Sequence, residues 1–143
     1  MPLPNKQGDY SGIAPFTVNA GDALRLWVPD LNTAGGCDVA SKKTSGIAEA
    51  KKLASQSNVT LIFVGIDGSQ EGETHDRDFV HLPGVQDLML SEVASAAVAS
   101  GGKAVLIVMG GGAVDLSAAK MNPNISSIIW AGYPGTSALL DPE

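Results

Sequence analysis

The fold is decided by a short apolar stretch in the middle of the chain, Val59-Thr60-Leu61-Ile62-Phe63-Val64-Gly65. A continuous apolar run of this length is typical of a strand buried on both faces. Two similar runs follow, Ala104-Val105-Leu106-Ile107-Val108-Met109 and Ile125-Ser126-Ser127-Ile128-Ile129-Trp130-Ala131. A shorter β candidate precedes them at Leu24-Arg25-Leu26-Trp27-Val28. The sequence therefore predicts several buried strands.

Helical patterns alternate with these strands. Residues Ser45 to Ala54 carry apolar side chains at three-residue spacing, which predicts a helix. A second helix is predicted to open at Pro83-Gly84-Val85-Gln86-Asp87-Leu88 and to stop at Gly101-Gly102. Strands that alternate with helices favour a mostly parallel sheet covered on both faces. We therefore predict an α/β fold, a three-layer α/β sandwich.

Composition limits the size and the partners of this domain. The 143 residues are 44% hydrophobic, which is enough for one domain spanning residues 1–143, with residues 1–22 irregular because they are rich in Gly, Pro and Asn. The net charge of -6 argues against nucleic acid as a partner. No apolar stretch reaches the roughly 20 residues that cross a membrane. The start of the chain lacks the pattern of a signal peptide, so we expect any secretion signal to lie outside it.

A polar segment rich in ionisable residues, Gln70-Glu71-Gly72-Glu73-Thr74-His75-Asp76-Arg77, follows the first buried strand. Open α/β sheets hold their chemistry at the carboxyl ends of strands, so this segment is a site candidate. A solvated loop with loose ion pairs is the alternative interpretation. A metal site is another, built from the residues His75, His81, Glu71, Glu73 and Asp76. None of the specific ligand spacings is present, so we predict no metal and no cofactor.

Several motifs resemble the C-terminal α/β domain of glycoside hydrolase family 3, closest to its β-xylosidase branch. The motifs are Gly8-Asp9-Tyr10, Val64-Gly65-Ile66-Asp67, Ser69-Gln70-Glu71-Gly72-Glu73, Asp76-Arg77, Leu82-Pro83-Gly84-Val85-Gln86, Gly110-Gly111-Gly112-Ala113-Val114-Asp115-Leu116-Ser117 and Ile129-Trp130-Ala131-Gly132-Tyr133-Pro134-Gly135. They occur in the family's order. The chain departs from the family at both ends: the first strand of the family is missing ahead of Gly8, and residues 136–143 do not continue as a Gly-rich helix start. We therefore expect a fragment that lacks the family's first strand.

The resemblance implies specific roles for the carboxylates of the loop. In this family the α/β domain supplies the acid/base glutamate, and an aspartate of a separate N-terminal barrel domain is the nucleophile. Glu73 matches the acid/base position, and Glu71 is the second candidate. If the loop is extended, the two glutamates point the same way with Cα atoms about 6.6 Å apart, and like-charge repulsion would raise one pKa. They cannot face each other across a sugar, so we expect half a site, inactive alone.

Other residues receive supporting roles from the same resemblance. His75 and Tyr133 are expected to contact the sugar, while Asp76 and Arg77 are expected to pair locally and hold the loop. The implied enzyme is an extracellular, retaining, exo-acting β-xylosidase or β-glucosidase that acts on β-linked oligosaccharides of plant or microbial cell walls. Its partners would be the barrel domain and, through an open sheet edge, a second copy. The alternative is a freestanding carbohydrate-binding or protein-interaction module without catalytic activity.

The glycine-rich turn after Met109 is a candidate for nucleotide binding. Residues Gly110 to Asp115 match neither the dinucleotide fingerprint nor the P-loop. A tight turn that requires positive φ is the simpler interpretation of these glycines. Asp115 then reads as a residue that caps the following helix.

Overall fold

The computed structural model describes residue 16 and residues 18–134 of the chain. The elements, in chain order, are α1 Ala20–Arg25, α2 Ile47–Ala54, β1 Val59–Gly65, α3 Gln86–Ala99, β2 Lys103–Met109, α4 Ser117–Met121 and β3 Ile125–Gly132. Within the described residues the strands form one sheet in the order β1-β2-β3, and both pairings are parallel. Helices alternate with the strands, so the predicted α/β class is confirmed.

The strand predicted at Leu24 to Val28 is wrong, because α1 occupies its first part. The side chain of Asn19 accepts a hydrogen bond of 3.0 Å from the backbone N–H of Asp22, which caps the helix. The acidic Asp22 in the first turn also favours a helix start. Residues 20–22 are therefore helical rather than irregular, while residues 1–15 and 17, with the Gly8-Asp9-Tyr10 motif, lie outside the described residues.

One face of the sheet carries the hydrophobic core. The parallel register aligns Ile62 of β1 with Leu106 of β2, and Leu106 with Ile128 of β3. Leu90 and Val93 of α3 pack on this face, and α2 and α4 contribute to the same cluster. Burying one such aliphatic side chain stabilises the fold by about 1.5–3 kcal/mol. This core holds β1 and β2 side by side and so fixes the positions of the loops that follow them.

The opposite face of the sheet is less covered. Leu61 of β1 is 38% exposed and Ile129 of β3 is 49% exposed. A cavity of about 600 Å³ runs beside β1, lined by residues of β1, α1 and α2 and of the segment between the two helices. Trp27 and Trp130, which both lie in apolar runs of the sequence, are 65% and 49% exposed. The outer side of β1 is thus the more open flank of the domain.

Candidate functional site

The site begins where β1 ends, at Gly65. Its φ of 148° is unfavourable for other residues, and a Cβ there would overlap the carbonyl oxygen of Met109 on β2. The next residue, Ile66, donates its backbone N–H to that oxygen at 3.0 Å. Glycine therefore lets the end of β1 lie close against β2 while the chain turns out of the sheet.

Asp67 shapes the first turn of the loop. Its Oδ1 accepts hydrogen bonds from the backbone N–H of Ser69 at 3.0 Å and from the Ser69 hydroxyl at 2.5 Å. Its carbonyl oxygen accepts the N–H of Gln70 at 2.8 Å. An aspartate that bonds the backbone two residues ahead mimics a backbone turn. This turn directs the chain toward the acidic segment.

A tight hairpin turn carries Glu73. The N–H of Gly72 donates to the carbonyl of His75 at 2.8 Å, and the N–H of His75 donates back to the carbonyl of Gly72 at 3.1 Å. Glu73 and Thr74 are the two central residues of this turn, and both are exposed. The chain therefore reverses direction at Glu73, so the condition of an extended loop, under which the two glutamates would point the same way, is not met.

Glu71 forms an ion pair with Arg77. Arg77 Nε donates to Glu71 Oε2 at 2.8 Å, and Arg77 Nη2 donates to the carbonyl oxygen of Ala113, in the turn after β2. The Arg77 side chain is only 12% exposed and that of Glu71 is 28% exposed. Within the described residues, the ion-pair partner of Arg77 is Glu71 of the same loop. Glu71 and Glu73 consequently have different surroundings and do not form an extended pair.

The glycine-rich turn after β2 packs against this ion pair. Gly110, Gly111 and Gly112 do not have positive φ, so the conformational explanation given by the sequence is wrong. Space explains two of them: a Cβ on Gly112 would overlap Oε1 of Glu71, and a Cβ on Gly111 would lie 2.5 Å from the Tyr133 ring. The turn therefore leaves room for two side chains of the candidate site.

A cavity of about 510 Å³ lies beside the ion pair between Glu71 and Arg77. It is lined by Glu71, Gly72, Asp76, Arg77, Phe79, Val80, Ala113 and Tyr133. The structure thus brings Tyr133, in the segment after β3, close to the loop after β1. This is possible because the carboxyl ends of parallel strands lie at the same end of the sheet. Glu73 and His75 lie at the hairpin turn and are not among the lining residues.

The exposed Phe79 belongs to this site, although the sequence analysis did not select it. It is 72% exposed and stacks on His81, with ring centroids 6.2 Å apart. The signal available in the sequence was that Phe79 is the one Phe, Tyr or Trp residue within the mostly polar segment 70–81. Its exposed ring gives the cavity an apolar rim.

Two aspartates near the site have shifted pKa values. Hydrogen bonds from the Ser117 side chain and backbone lower the pKa of Asp115, and the N–H of Ser117 lies 2.8 Å from Asp115 Oδ1. The N-cap of α4 is Leu116, so Asp115 lies one residue ahead of the predicted capping position, although its carboxylate accepts the N–H of Ser117, the first residue of the helix. Burial raises the pKa of Asp87, an effect that His81 opposes. Neither aspartate lines the cavity beside Arg77.

Neither a metal-binding cluster nor a membrane-spanning helix occurs in the part of the chain that the structure describes. Residues 16 and 18–134 contain no group of three His, Cys, Asp or Glu side chains placed to hold a metal ion. No helix in the same part of the chain has the length and apolar character needed to cross a membrane.

Comparison with known families identifies the domain. The sequence profile described as the glycosyl hydrolase family 3 C-terminal domain matches residues 2–140. The chain belongs to this family. The expected family resemblance is therefore confirmed over nearly the whole sequence.

Similar proteins are much longer than this chain. A probable exo-1,4-beta-xylosidase of Aspergillus clavatus is 39% identical over 138 residues, which cover 94% of the chain and 17% of the relative. Beta-D-xylosidase 1 of Arabidopsis thaliana is 37% identical over 128 residues, covering 90% and 16%. The chain thus spans about one sixth of the length of these curated relatives.

Solved structures support the fold. A GH3 exo-beta-xylosidase in complex with a xylobiose aziridine probe has a TM-score of 0.85 and 36% identity, covering 92% of this chain and 17% of that one. The GH3 beta-glucosidase of Bifidobacterium adolescentis has a TM-score of 0.78 at 24% identity, with coverage of 94% and 19%, and shows a shared fold. The chain therefore has the α/β architecture found in larger glycoside hydrolases.

Proposed function

We propose that this domain contributes the acid/base carboxyl group of a retaining, exo-acting β-glycosidase, and that Glu73 carries it. The observation that supports this most is the hairpin turn, which exposes Glu73 at its tip at the carboxyl end of β1. An acid/base residue has to come within about 2.6–3.2 Å of the glycosidic oxygen or a water. An exposed position on a short, hydrogen-bonded turn suits that task.

Glu71 is less suited to proton transfer. Its Oε2 accepts from Arg77 Nε at 2.8 Å, and its Oε1 lies against Gly112. A carboxylate held by a guanidinium is a hydrogen-bond acceptor in a fixed position. Glu73 is therefore the proton donor in this proposal, and Glu71 a member of the supporting structure.

The nucleophile comes from another domain in this proposal. Retaining glycosidases place two carboxyl groups about 5 Å apart on either side of the scissile bond. Glu71 and Glu73 belong to the same loop, and Glu71 is held by Arg77. We therefore expect an aspartate of an N-terminal barrel domain to complete the site, and expect the 143-residue chain alone not to hydrolyse aryl β-xylosides or β-glucosides.

A terminal β-xylosyl or β-glucosyl residue of a cell-wall oligosaccharide is the proposed substrate, and the proposed location is extracellular. The relatives named as xylosidases support the xylose class. His75, next to the hairpin tip, and Tyr133, in the cavity wall, are the proposed sugar contacts. Arg77, paired with Glu71, supports the loop, and Asp76 remains a proposed support on the cavity wall.

A second copy of the chain is a further proposed partner when the domain is isolated. The outer side of β1 exposes Val59 by 57% and Leu61 by 38%. Open strand edges with apolar side chains favour pairing with another chain. We expect this flank to mediate the association.

The test compares Glu73→Ala with Glu71→Ala in a longer family 3 enzyme that contains this domain. Loss of the acid should reduce kcat/KM strongly for glycosides with poor leaving groups and little for those with acidic phenols, since only the former need a proton. Glu73→Ala should show this pattern. If Glu71→Ala shows it and Glu73→Ala does not, the assignment is wrong.

A further inference from the structure

We infer that Glu71 is a positioning residue: its carboxylate, seated beside Gly112 and paired with Arg77, holds the hairpin turn that presents Glu73. This inference rests on the acid/base role proposed for Glu73. It gives the second glutamate of the loop, and one glycine of the following turn, a defined part in the same reaction.

The two residues of the ion pair lie on either side of the hairpin in the sequence. Glu71 immediately precedes Gly72, where the turn begins, and Arg77 follows His75, where it ends, by two residues. The bond from Arg77 Nε to Glu71 Oε2 at 2.8 Å therefore joins the two ends of the segment that carries Glu73. A cross-link at the base of a short turn limits the directions that its tip can take.

The same arginine attaches the hairpin to the sheet. Arg77 Nη2 donates to the carbonyl of Ala113, which belongs to the turn after β2, so the loop after β1 is joined to the loop after the neighbouring strand. Arg77 is 12% exposed, and a charge pair shielded from water loses more when one partner is removed than a surface pair does. The guanidinium group thus fixes the position of the hairpin relative to the sheet.

Gly112 provides the space in which Glu71 lies. A Cβ at position 112 would overlap Oε1 of Glu71, whereas a Cβ at position 111 would meet the Tyr133 ring. The atom that Gly112→Ala displaces is the end of a flexible side chain, so the substitution moves the carboxylate without breaking the backbone. Gly111→Ala is the matched control, since it adds the same methyl group one residue away, where the nearest atoms belong to the Tyr133 ring and not to Glu71.

The structural test measures amide hydrogen exchange in the ¹⁵N-labelled 143-residue chain. The two reporters are the amides of Gly72 and His75, which bond across the hairpin. Gly112→Ala should accelerate their exchange by about tenfold or more, as expected for a lost charged hydrogen bond. Gly111→Ala should leave both rates within about twofold of the wild type.

A double-mutant cycle tests whether Gly112 acts through Glu71. Glu71→Gln alone should accelerate the same two amides, and combining it with Gly112→Ala should give less than the product of the two effects, because both changes disturb one contact. If Gly112→Ala does not fold, Glu71→Gln compared with the wild type carries the test. Unchanged exchange in Glu71→Gln, unprotected amides in the wild type, or fully multiplicative effects would each overturn the inference.

An activity measurement separates this inference from the proposed function. In the longer enzyme, Gly112→Ala should lower kcat for substrates with poor leaving groups by about tenfold or more, with a much smaller change in KM and for acidic phenols. Faster exchange without this kinetic pattern would overturn the positioning role. If Glu73→Ala also lacked the pattern, the acid/base assignment itself would have failed.

Discussion

The side-chain amide of Gln86 hydrogen-bonds both backbone groups of Gly65. Its Oε1 accepts the N–H of Gly65 at 2.7 Å, and its Nε2 donates to the carbonyl of Gly65 at 2.8 Å. A neighbouring β-strand would hydrogen-bond the same N–H and carbonyl groups of Gly65. The first residue of α3 thus completes the end of β1, and Nε2 also reaches the carbonyl of Val39 at 2.8 Å. This buried side chain fixes the point where the site loop leaves the sheet.

Replacing Gln86 by Leu should therefore destabilise the domain. The substitution replaces the polar amide by an apolar side chain of similar size, and it leaves the N–H and carbonyl of Gly65 without this partner in a buried place. We expect the free energy of unfolding in urea to fall by about 3 kcal/mol, since each unsatisfied buried group costs about 1–3 kcal/mol. Gln56→Leu, at an exposed position, is the control. Equal stability of the two variants would contradict this role.

Cys37 should react slowly with alkylating reagents. Burial, and to a smaller extent the charge of Asp38, raises the pKa of its thiol above the ordinary 9.0. Because the thiolate is the nucleophile, iodoacetamide should modify the folded chain more slowly than the chain in urea near neutral pH. Asp38→Asn should speed the reaction slightly. A pH-rate midpoint below 9.0 in the folded protein would be incompatible with this account.

The sequence was sufficient to predict the sheet but not all of the helices. Continuous apolar runs located β1, β2 and β3, since such runs are typical of strands in a parallel sheet. The same criterion failed at Leu24 to Val28, where the capping residue Asn19 starts a helix. It also failed for β3 as a buried strand, because among the described residues β3 has a neighbouring strand on one side only, and Trp130 is 49% exposed.

The sequence indicated a candidate loop for the site, but not its contacts. Polar residues after β1 drew attention to this loop, whereas the partner of Arg77 depends on the hairpin between Gly72 and His75, which no periodicity reveals. Gly112 is a comparable case. Its lack of a side chain is explained by Glu71, which lies 41 residues earlier in the numbering and becomes its neighbour only through the pairing of β1 with β2.

The Asp115 carboxylate should make stability depend on pH in the acid range. Its hydrogen bonds to Ser117 lower its pKa below the ordinary 3.8. Since the native pKa is the lower one, the stability gained from this group is complete above 3.8 and is lost as the pH falls through the native value. Asp115→Asn keeps an acceptor for Ser117 but does not titrate. Urea unfolding should show that the wild type loses stability relative to Asp115→Asn as the pH falls. A stability difference that does not change with pH would refute this.

The exposed flank of β1 should cause the isolated chain to self-associate. Light scattering after size exclusion at low micromolar concentration should detect species larger than a monomer. Leu61→Lys should shift the population toward monomer, because a charge on an edge strand opposes pairing. Met121→Lys is the control, since that residue is 84% exposed on α4. A monodisperse wild-type monomer, or equal responses of the two variants, would exclude this interface.

The acid/base role of Glu73 is tested most directly by the products that Glu73→Ala forms in azide. In a longer family 3 enzyme that contains this domain, the variant should still form the glycosyl-enzyme from a substrate with an acidic phenol leaving group. Without the base, water attacks slowly, whereas azide needs no deprotonation. We predict that azide restores turnover and yields a β-glycosyl azide of retained configuration, while Glu71→Ala, which keeps the Glu73 carboxyl group, gives mainly the free sugar. A Glu73→Ala enzyme that is unaffected by azide, or a Glu71→Ala enzyme that forms as much glycosyl azide as Glu73→Ala, would contradict the account.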